Sequence, residues 1–173
     1  RTAYINRKSQ RVRLVGSNAA YSEVFSLAMV SGRFLTPYDL RHRQRVAVLG
    51  HESAMELFAT TQVSGQMLRL GKEWFTVIGV LATDKLPAMK LSGFQTPDTG
   101  RSIYIPMTVM TPKAIDDLEF SKLLLKFVDD QRIPAAMPLL QRIFGSGRFK
   151  QQQLELIIPY QLLIKKKQFQ HML

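Results

Sequence analysis

Apolar and polar residues alternate with the period of a β-strand at several points in the first two-thirds of the chain. Residues 11–16 alternate charged and apolar side chains, which is typical of a strand with one buried face. Residues 67–70 and 74–81 form two further apolar runs, and Gly71-Lys72-Glu73 between them predicts a β-hairpin. Short strands are also predicted over residues 45–49 and 102–105.

Capping residues predict short helices between these strands. Thr36 suits a helix N-cap and Pro37 suits the first helical position, so a helix begins there. Residues 51–58 form a second short helix, and residues 20–25 a helical turn after Ser17 and Asn18. Residues 31–34 are expected to be a loop. Residues 83–101 are expected to be a long loop, which in a compact domain is usually functional.

The last third of the chain has the pattern of a β-α-β unit. It combines a strand over residues 120–127, a helix over residues 131–144 and a strand over residues 154–158. Pro138 is awkward inside a regular helix and is a candidate for its true start. Pro159 opens a last helix, whose apolar positions leave Lys165, Lys166 and Lys167 on a solvated face.

Composition and charge narrow the classes of protein. The 173 residues are 46% apolar and 21% charged, as in an ordinary folded protein, and the formal charge of +11 suggests an anionic partner. The absence of cysteine excludes disulfides, iron–sulfur clusters, thiolate zinc sites and thiol nucleophiles. No apolar run reaches the ~18 residues of a membrane span, and residues 1–8 do not form a signal peptide. The missing initiator Met indicates a piece of a longer protein.

No motif for catalysis or metal binding is complete. His51-Glu52 begins like a zinc-protease helix, but Met55 stands where the second His is required. Ser53 lacks the flanking glycines of a nucleophile elbow, and Gly145-Ser146-Gly147 suits a helix end and turn. The acid pairs at residues 116–117 and 129–130 suit caps and turns. We therefore expect no catalytic, metal-binding or cofactor-binding residues and no enzymatic activity.

The basic residues are scattered over predicted strands, loops and the last helix rather than collected on one recognition helix. Most clusters suit a solvated surface. Lys165, Lys166 and Lys167 differ because they lie in a helix without a stop signal. They suit a position close to anionic lipid headgroups.

Several stretches, in their order and spacing, resemble one protein family. They are Val15-Gly16; Gly32-Arg33-Phe34 with Asp39; Val46 to Gly50 with Ala54 and Leu57-Phe58; Gly65 to Leu70; Gly71 with Phe75 to Val80; Tyr104-Ile105-Pro106; and Ile157-Ile158-Pro159 with Leu162-Leu163. The ordered set is similar to the extracytoplasmic domain of MacB-like ABC transporter permeases, a group that includes FtsX-like and lipoprotein-releasing proteins. The shared residues are glycines at turns and apolar residues of strands, so they are structural.

The resemblance implies an α+β fold with two subdomains and a stalk. Residues 12–110 correspond to a mainly β "sabre" subdomain, and residues 114–158 to the second β-α-β unit of a "porter" subdomain. Residues 159–173, beginning at Pro159 and including Lys165, Lys166 and Lys167, correspond to the start of a stalk helix that leads to a transmembrane helix. The first porter unit is absent from this chain. Thr99 to Ser102 replaces a short acidic segment that the family has before its Ile-Pro strand.

The resemblance also implies a function. The chain would be a non-catalytic periplasmic domain of a permease at the inner membrane, moved through its stalk by ATP hydrolysis on a separate cytoplasmic domain. Its partners would be its own transmembrane region, the ATPase domain, a twin domain in a homodimer or pseudo-dimer, and a membrane-fusion or accessory protein. The alternative from another class is a soluble basic nucleic-acid-binding domain, which predicts steeply salt-dependent binding to DNA or RNA.

Overall fold

A computed structural model describes residues 2–5, 8–83, 90–91, 94–95, 98–110, 125, 127 and 132–144. The chain divides into two compact units, of which the first comprises residues 1–87 and 97–124 and the second residues 88–96 and 125–173. Within the described ranges, no helix is both long enough and apolar enough to cross a membrane.

The described strands and helices alternate along the chain. The strands are β1 (Thr2–Ile5), β2 (Lys8–Arg11), β3 (Arg13–Ser17), β4 (Met29–Gly32), β5 (Val46–Leu49), β6 (Met67–Leu70), β7 (Glu73–Leu81), β8 (Lys90–Leu91), β9 (Phe94–Gln95) and β10 (Ser102–Pro106). The helices are α1 (Tyr21–Val24), α2 (Pro37–Arg41), α3 (His51–Phe58), α4 (Met107–Met110) and α5 (Ile133–Phe144).

Eight strands form one mixed sheet in the first unit. Seven of them lie in the order β2-β1-β6-β7-β5-β10-β3. The longest strand, β7, pairs antiparallel with β6 through its first half and with β4 through its second half, and parallel with β5 along its other edge. A second parallel pair joins β10 to β3. Strand β7 is therefore the centre of the sheet.

Two apolar clusters pack on opposite faces of this sheet. Helix α3 contributes Ala54 and Leu57 to the first cluster, which also contains Leu68, Phe75 and Val77 from β6 and β7. The second cluster lies on the other face and consists of Phe34, Leu35, Val48, Leu81 and Tyr104. Neighbouring residues of β5 enter different clusters because successive strand residues point to opposite faces.

The structure confirms most of the predicted elements of the first unit. The β6–β7 hairpin, the strands at β3, β5 and β10, and the helix of residues 51–58 all form. Helix α2 begins as predicted, because Thr36 is its N-cap and Pro37 occupies its first turn. The fold class, α+β, is also confirmed by the mixed sheet and its packed helices.

Three features differ from the sequence-based expectation. The loop expected over residues 31–34 begins inside strand β4, which pairs with β7 as far as Gly32. Gly32 has a φ of +68°, and its Cα lies against the Ile78 backbone where a Cβ would collide. Strands β1 and β2 extend the sheet on the N-terminal side of residue 12. The long loop of residues 83–101 contains a short antiparallel pair, β8 and β9.

The described part of the second unit consists mainly of helix α5. This helix confirms the one predicted over residues 131–144, although it begins at Ile133 and continues through Pro138 instead of starting there. Of the strand predicted over residues 120–127, only Leu125 and Phe127 are described, and neither lies in a strand. The strand predicted over residues 154–158 lies outside the described residues, and so does the helix opened by Pro159.

Candidate functional site

The corner between β4 and α2 contains a buried carboxylate held by two neighbours. The Asp39 side chain is 2% exposed and forms a bidentate salt bridge with Arg33. Arg33 Nη1 donates to Oδ2 at 2.6 Å, and Nη2 donates to Oδ1 at 3.0 Å. Thr36 donates its backbone N–H and its hydroxyl to Asp39 Oδ2 at 2.8 and 2.7 Å. Together with the bond from the Asp39 N–H to the Thr36 hydroxyl, these contacts form a capping box at the start of α2.

The protonation state of Asp39 follows from these contacts. Burial raises the pKa of its carboxyl, but the hydrogen bonds from Arg33 and Thr36 outweigh burial and lower the pKa to about 2. The carboxylate is therefore charged near neutral pH and cannot act as a general acid there. The corner fixes α2 against the second apolar cluster, and Thr108 of α4 strengthens it by donating to the Leu40 carbonyl at 2.9 Å.

The end of the long loop is fixed to the N-terminus of α3. The backbone N–H of Ser53 donates to the Gly100 carbonyl at 3.0 Å, and the N–H of Gly50 donates to the Ser102 carbonyl at 2.8 Å. Gly50 lies so close to the Thr99 and Gly100 backbone that a Cβ would collide with both carbonyls. We call this junction, residues 50–53 and 98–102, the loop base.

Side chains add a second set of contacts at the loop base. Arg101 Nε lies 2.8 Å from Glu52 Oε2, and its Nη2 lies 3.8 Å from Glu56 Oε1. These acids raise the pKa of Arg101, the hydrogen bond to Glu52 being the main cause. The segment that leads into β10 therefore supplies a cation to two acids of α3.

Tyr104 is fully buried on the second face of the sheet. Its ring lies 5.7 Å from that of Phe34 and 5.3 Å from that of Tyr21, measured between centroids. Burial is the main cause of a raised pKa for the Tyr104 hydroxyl. The phenol stays neutral in the physiological range, and its environment is that of a core residue rather than of a proton-transfer group.

The structure brings together only some of the residues that the sequence analysis considered as candidates for a site. No group of three or more His, Asp or Glu side chains suited to a metal ion occurs in the described part of the chain. His51 and Glu52 form the first turn of α3, where Glu52 faces Arg101 rather than a second histidine. The proposed stalk residues Pro159, Lys165, Lys166 and Lys167 lie outside the described residues.

The sequence reasoning missed the partners at the loop base. Glu52 and Arg101 are 49 residues apart in the chain, and neither lies in a pattern that specifies a long-range pair. The Arg33–Asp39 pair is closer, six residues apart, and both residues belong to the stretch that carries the family resemblance. The Thr36 cap was the one visible signal, because a cap followed three residues later by an acid is the pattern of a capping box.

The comparisons with known proteins agree on one family. A family model described as a MacB-like periplasmic core domain matches residues 1–143. The chain is 35% identical over 78 residues to a macrolide export ATP-binding/permease protein MacB of Bdellovibrio bacteriovorus, covering 45% of this chain and 12% of that protein. It is 26% identical over 141 residues to the protein of the same name from Aggregatibacter actinomycetemcomitans, covering 82% and 21%.

Solved structures have the same fold. The extracellular domain of a noncanonic ABC-type transporter, YknZ, from Gram-positive bacteria superimposes with a TM-score of 0.62 at 23% identity, covering 84% of this chain and 72% of that one. The periplasmic region of MacB from Actinobacillus actinomycetemcomitans gives a TM-score of 0.59 at 20% identity, covering 84% and 63%.

The chain spans 12% and 21% of the length of the two curated relatives. The family model covers most of the chain, including the sheet, the Arg33–Asp39 corner, the loop base and almost all of α5. From these matches and the shared fold, the chain belongs to the family of MacB-like periplasmic core domains.

Proposed function

We propose that this chain is the non-catalytic extracytoplasmic domain of an ABC transporter permease, and that it passes ATP-driven stalk motion to a substrate-handling surface. The family match over residues 1–143 carries this proposal. Two titratable groups of the described residues support it. Asp39 is held in place by Arg33 and Thr36, and Tyr104 is enclosed in the core. Their contacts suit a mechanical body rather than a catalyst.

A domain that passes on motion must move as a stiff body, and the first unit has three features suited to this. Its central strand β7 pairs with three other strands, its sheet is packed on both faces, and the corner at Asp39 ties α2 to the strand that precedes it. Close-packed interiors transmit displacement with little compression. The loop base similarly fixes the returning end of the long loop to α3.

In this proposal each sequence region has a mechanical task. Residues 12–110 act as the sabre-like subdomain, and residues 114–158 as a porter-like β-α-β unit. The helix from Pro159 acts as the stalk, with Lys165, Lys166 and Lys167 next to lipid headgroups. The long loop of residues 83–101 faces a membrane-fusion or accessory protein. The ATPase is a separate cytoplasmic domain, and two copies of the permease work as a dimer.

The test changes the stiffness of the stalk in the full-length parent protein. A Gly/Ser-rich insertion directly after Pro159 introduces a flexible joint, whereas an Ala-rich insertion of the same length keeps a helix. We expect the flexible variant to hydrolyse ATP but to lose export, and the helical variant to retain much of both. Equal export by the two variants contradicts a mechanical role for the stalk.

A further inference from the structure

One part of the sheet surface is uncovered although it carries large apolar side chains. Met67 on β6 is 54% exposed and Trp74 on β7 is 52% exposed. They lie on the same face as Arg69, because Arg69 is the register partner of Trp74 and Met67 that of Thr76. We call Met67, Arg69 and Trp74 the open sheet patch.

The open sheet patch continues the face that the second apolar cluster covers. Val46 and Ile78 are partly buried members of that cluster, and Val46 is the register partner of Thr76 on β7. The covering layer of Phe34, Leu35 and Leu40 therefore ends beside the patch. The result is a ledge, with a packed layer on one side and an exposed sheet with a tryptophan on the other.

Strand directions bring positive charge to the same end of the sheet as Trp74. Strands β5 and β7 are parallel and β6 runs antiparallel to β7, so the starts of β5 and β7 lie beside the end of β6. Residues 69–74 carry Arg69 and Lys72 against one carboxylate, Glu73, and the segment before β5 reaches this end at Arg45, whose carbonyl accepts a hydrogen bond from the Thr76 N–H. Glu73 is itself paired with Arg45 at 3.0 Å.

We infer that the open sheet patch docks an acidic protein segment that presents apolar side chains. This inference rests on the proposed function, since it names the surface and the chemistry of the accessory partner. Half-exposed tryptophan and methionine supply apolar contact area, and the cations that border them favour a partner of opposite charge. A ledge accepts a protruding helix or strand better than it accepts a planar bilayer.

The chain supplies its own reporter, because Trp74 is its only tryptophan. The 173-residue chain is titrated with a synthetic peptide of alternating Glu and Leu. The comparison probes are the same peptide with Lys for Glu, phosphatidylglycerol vesicles and duplex DNA. We expect only the Glu-Leu peptide to shift Trp74 emission to shorter wavelength, with binding that weakens several-fold between about 0.05 M and about 0.5 M salt.

Matched variants locate the binding. Arg69→Glu with Lys72→Glu should weaken peptide binding by about tenfold or more. Arg13→Glu with Arg101→Glu makes the same change in net charge at the β3–β10 end of the sheet, away from β6, and should have little effect. Met67→Ala should weaken binding, and Met55→Ala on α3, which packs on the other face, should not. Lys72→Glu alone, in an exposed turn, serves if the double variant does not fold.

Three outcomes overturn the inference: no response to the Glu-Leu peptide, equal binding of the Lys-Leu peptide, or preferential binding of vesicles or DNA. The peptide assay is independent of transport. If the peptide binds but the flexible stalk insertion leaves export intact, the patch is retained and the proposed mechanical function is wrong. If the peptide does not bind but the insertion abolishes export, the proposed function stands without this surface.

Discussion

Two Arg–carboxylate pairs hold two junctions of the first unit, and they differ in how much water reaches them. At the corner, the Asp39 side chain is 2% exposed and Arg33 is 50% exposed. At the loop base, Glu52 and Arg101 are 49% and 65% exposed. The corner carboxylate also accepts two hydrogen bonds from Thr36, whereas the loop base relies on backbone bonds and on the close approach of Gly50.

The difference indicates where the stability of each junction originates. Removing one partner of a buried pair leaves an uncompensated group and is costly, whereas an exposed pair contributes ~0–1 kcal/mol. We therefore expect the corner to depend on its side chains and the loop base on its backbone packing. Four measurements test this contrast.

The largest effect is expected from Gly50→Ala at the loop base. The new Cβ would collide with the Thr99 and Gly100 backbone, so the turn must separate from α3, at a cost of about 3 kcal/mol. Gly71→Ala is the control, because a Cβ there meets nothing within 4 Å and only the positive φ opposes it, at about 1 kcal/mol. Chemical denaturation compares the two, and equal losses would refute the role of close packing at Gly50.

The second effect is that of Asp39→Asn at the corner. The variant keeps the shape but loses the charge that Arg33 and Thr36 hold, so the free energy of unfolding should fall by about 2 kcal/mol. Glu73→Gln, which breaks the exposed pair with Arg45, should cost less than about 0.5 kcal/mol. A loss at Asp39 no larger than that at Glu73 contradicts the contrast.

The third effect is a pH dependence that belongs to the corner. The pKa of Asp39 is lowered from 3.8 to about 2, so its contribution is present above about pH 4 and disappears as the pH falls towards 2. The stability difference between the parent chain and Asp39→Asn should shrink by up to about 2 kcal/mol over that range. Urea denaturation at pH 5 and near pH 2 measures it, and a constant difference disagrees with a charged, bonded Asp39.

The smallest effect is expected from Arg101→Ala at the loop base. Both Glu52 and Arg101 are exposed, so losing the pair should cost little stability, and salt should reduce even that. Thermal unfolding at low and high salt measures the loss. If the loss is insensitive to salt and as large as that of Gly50→Ala, the stability of the loop base depends on its side chains rather than on its backbone.

The sequence predicted local elements well because their signals are local. The β6–β7 hairpin, the Thr36–Pro37 helix start and helix α3 each depend on residues within one turn or one strand. Residues 31–34 were expected to be a loop, and only the pairing with β7 shows that Ser31 and Gly32 belong to strand β4. The parallel pairs β5–β7 and β10–β3 join distant residues, and no local period specifies them.

The candidate surfaces were less predictable for the same reason. Arg33 and Asp39 were named in the sequence analysis because they belong to the stretch that resembles the family, but no contact between them was predicted. Glu52 and Arg101 meet only after β5 and β10 pair in the sheet. Trp74 is exposed because Phe34, Leu35 and Leu40 cover only part of that sheet face. An alternating strand pattern does not show which part of a face stays uncovered.

The location of the domain on the outer face of the membrane can be tested by cysteine labelling in the full-length parent protein. The chain has no cysteine, so in a background free of other cysteines a single introduced one reports alone. Gln62→Cys is exposed and the adjacent Val63→Cys is buried, with Val63 1% exposed. A membrane-impermeant maleimide should label Gln62→Cys in intact spheroplasts and Val63→Cys only after denaturation. Labelling of Gln62→Cys only after the membrane is permeabilised would instead place the domain on the cytoplasmic side.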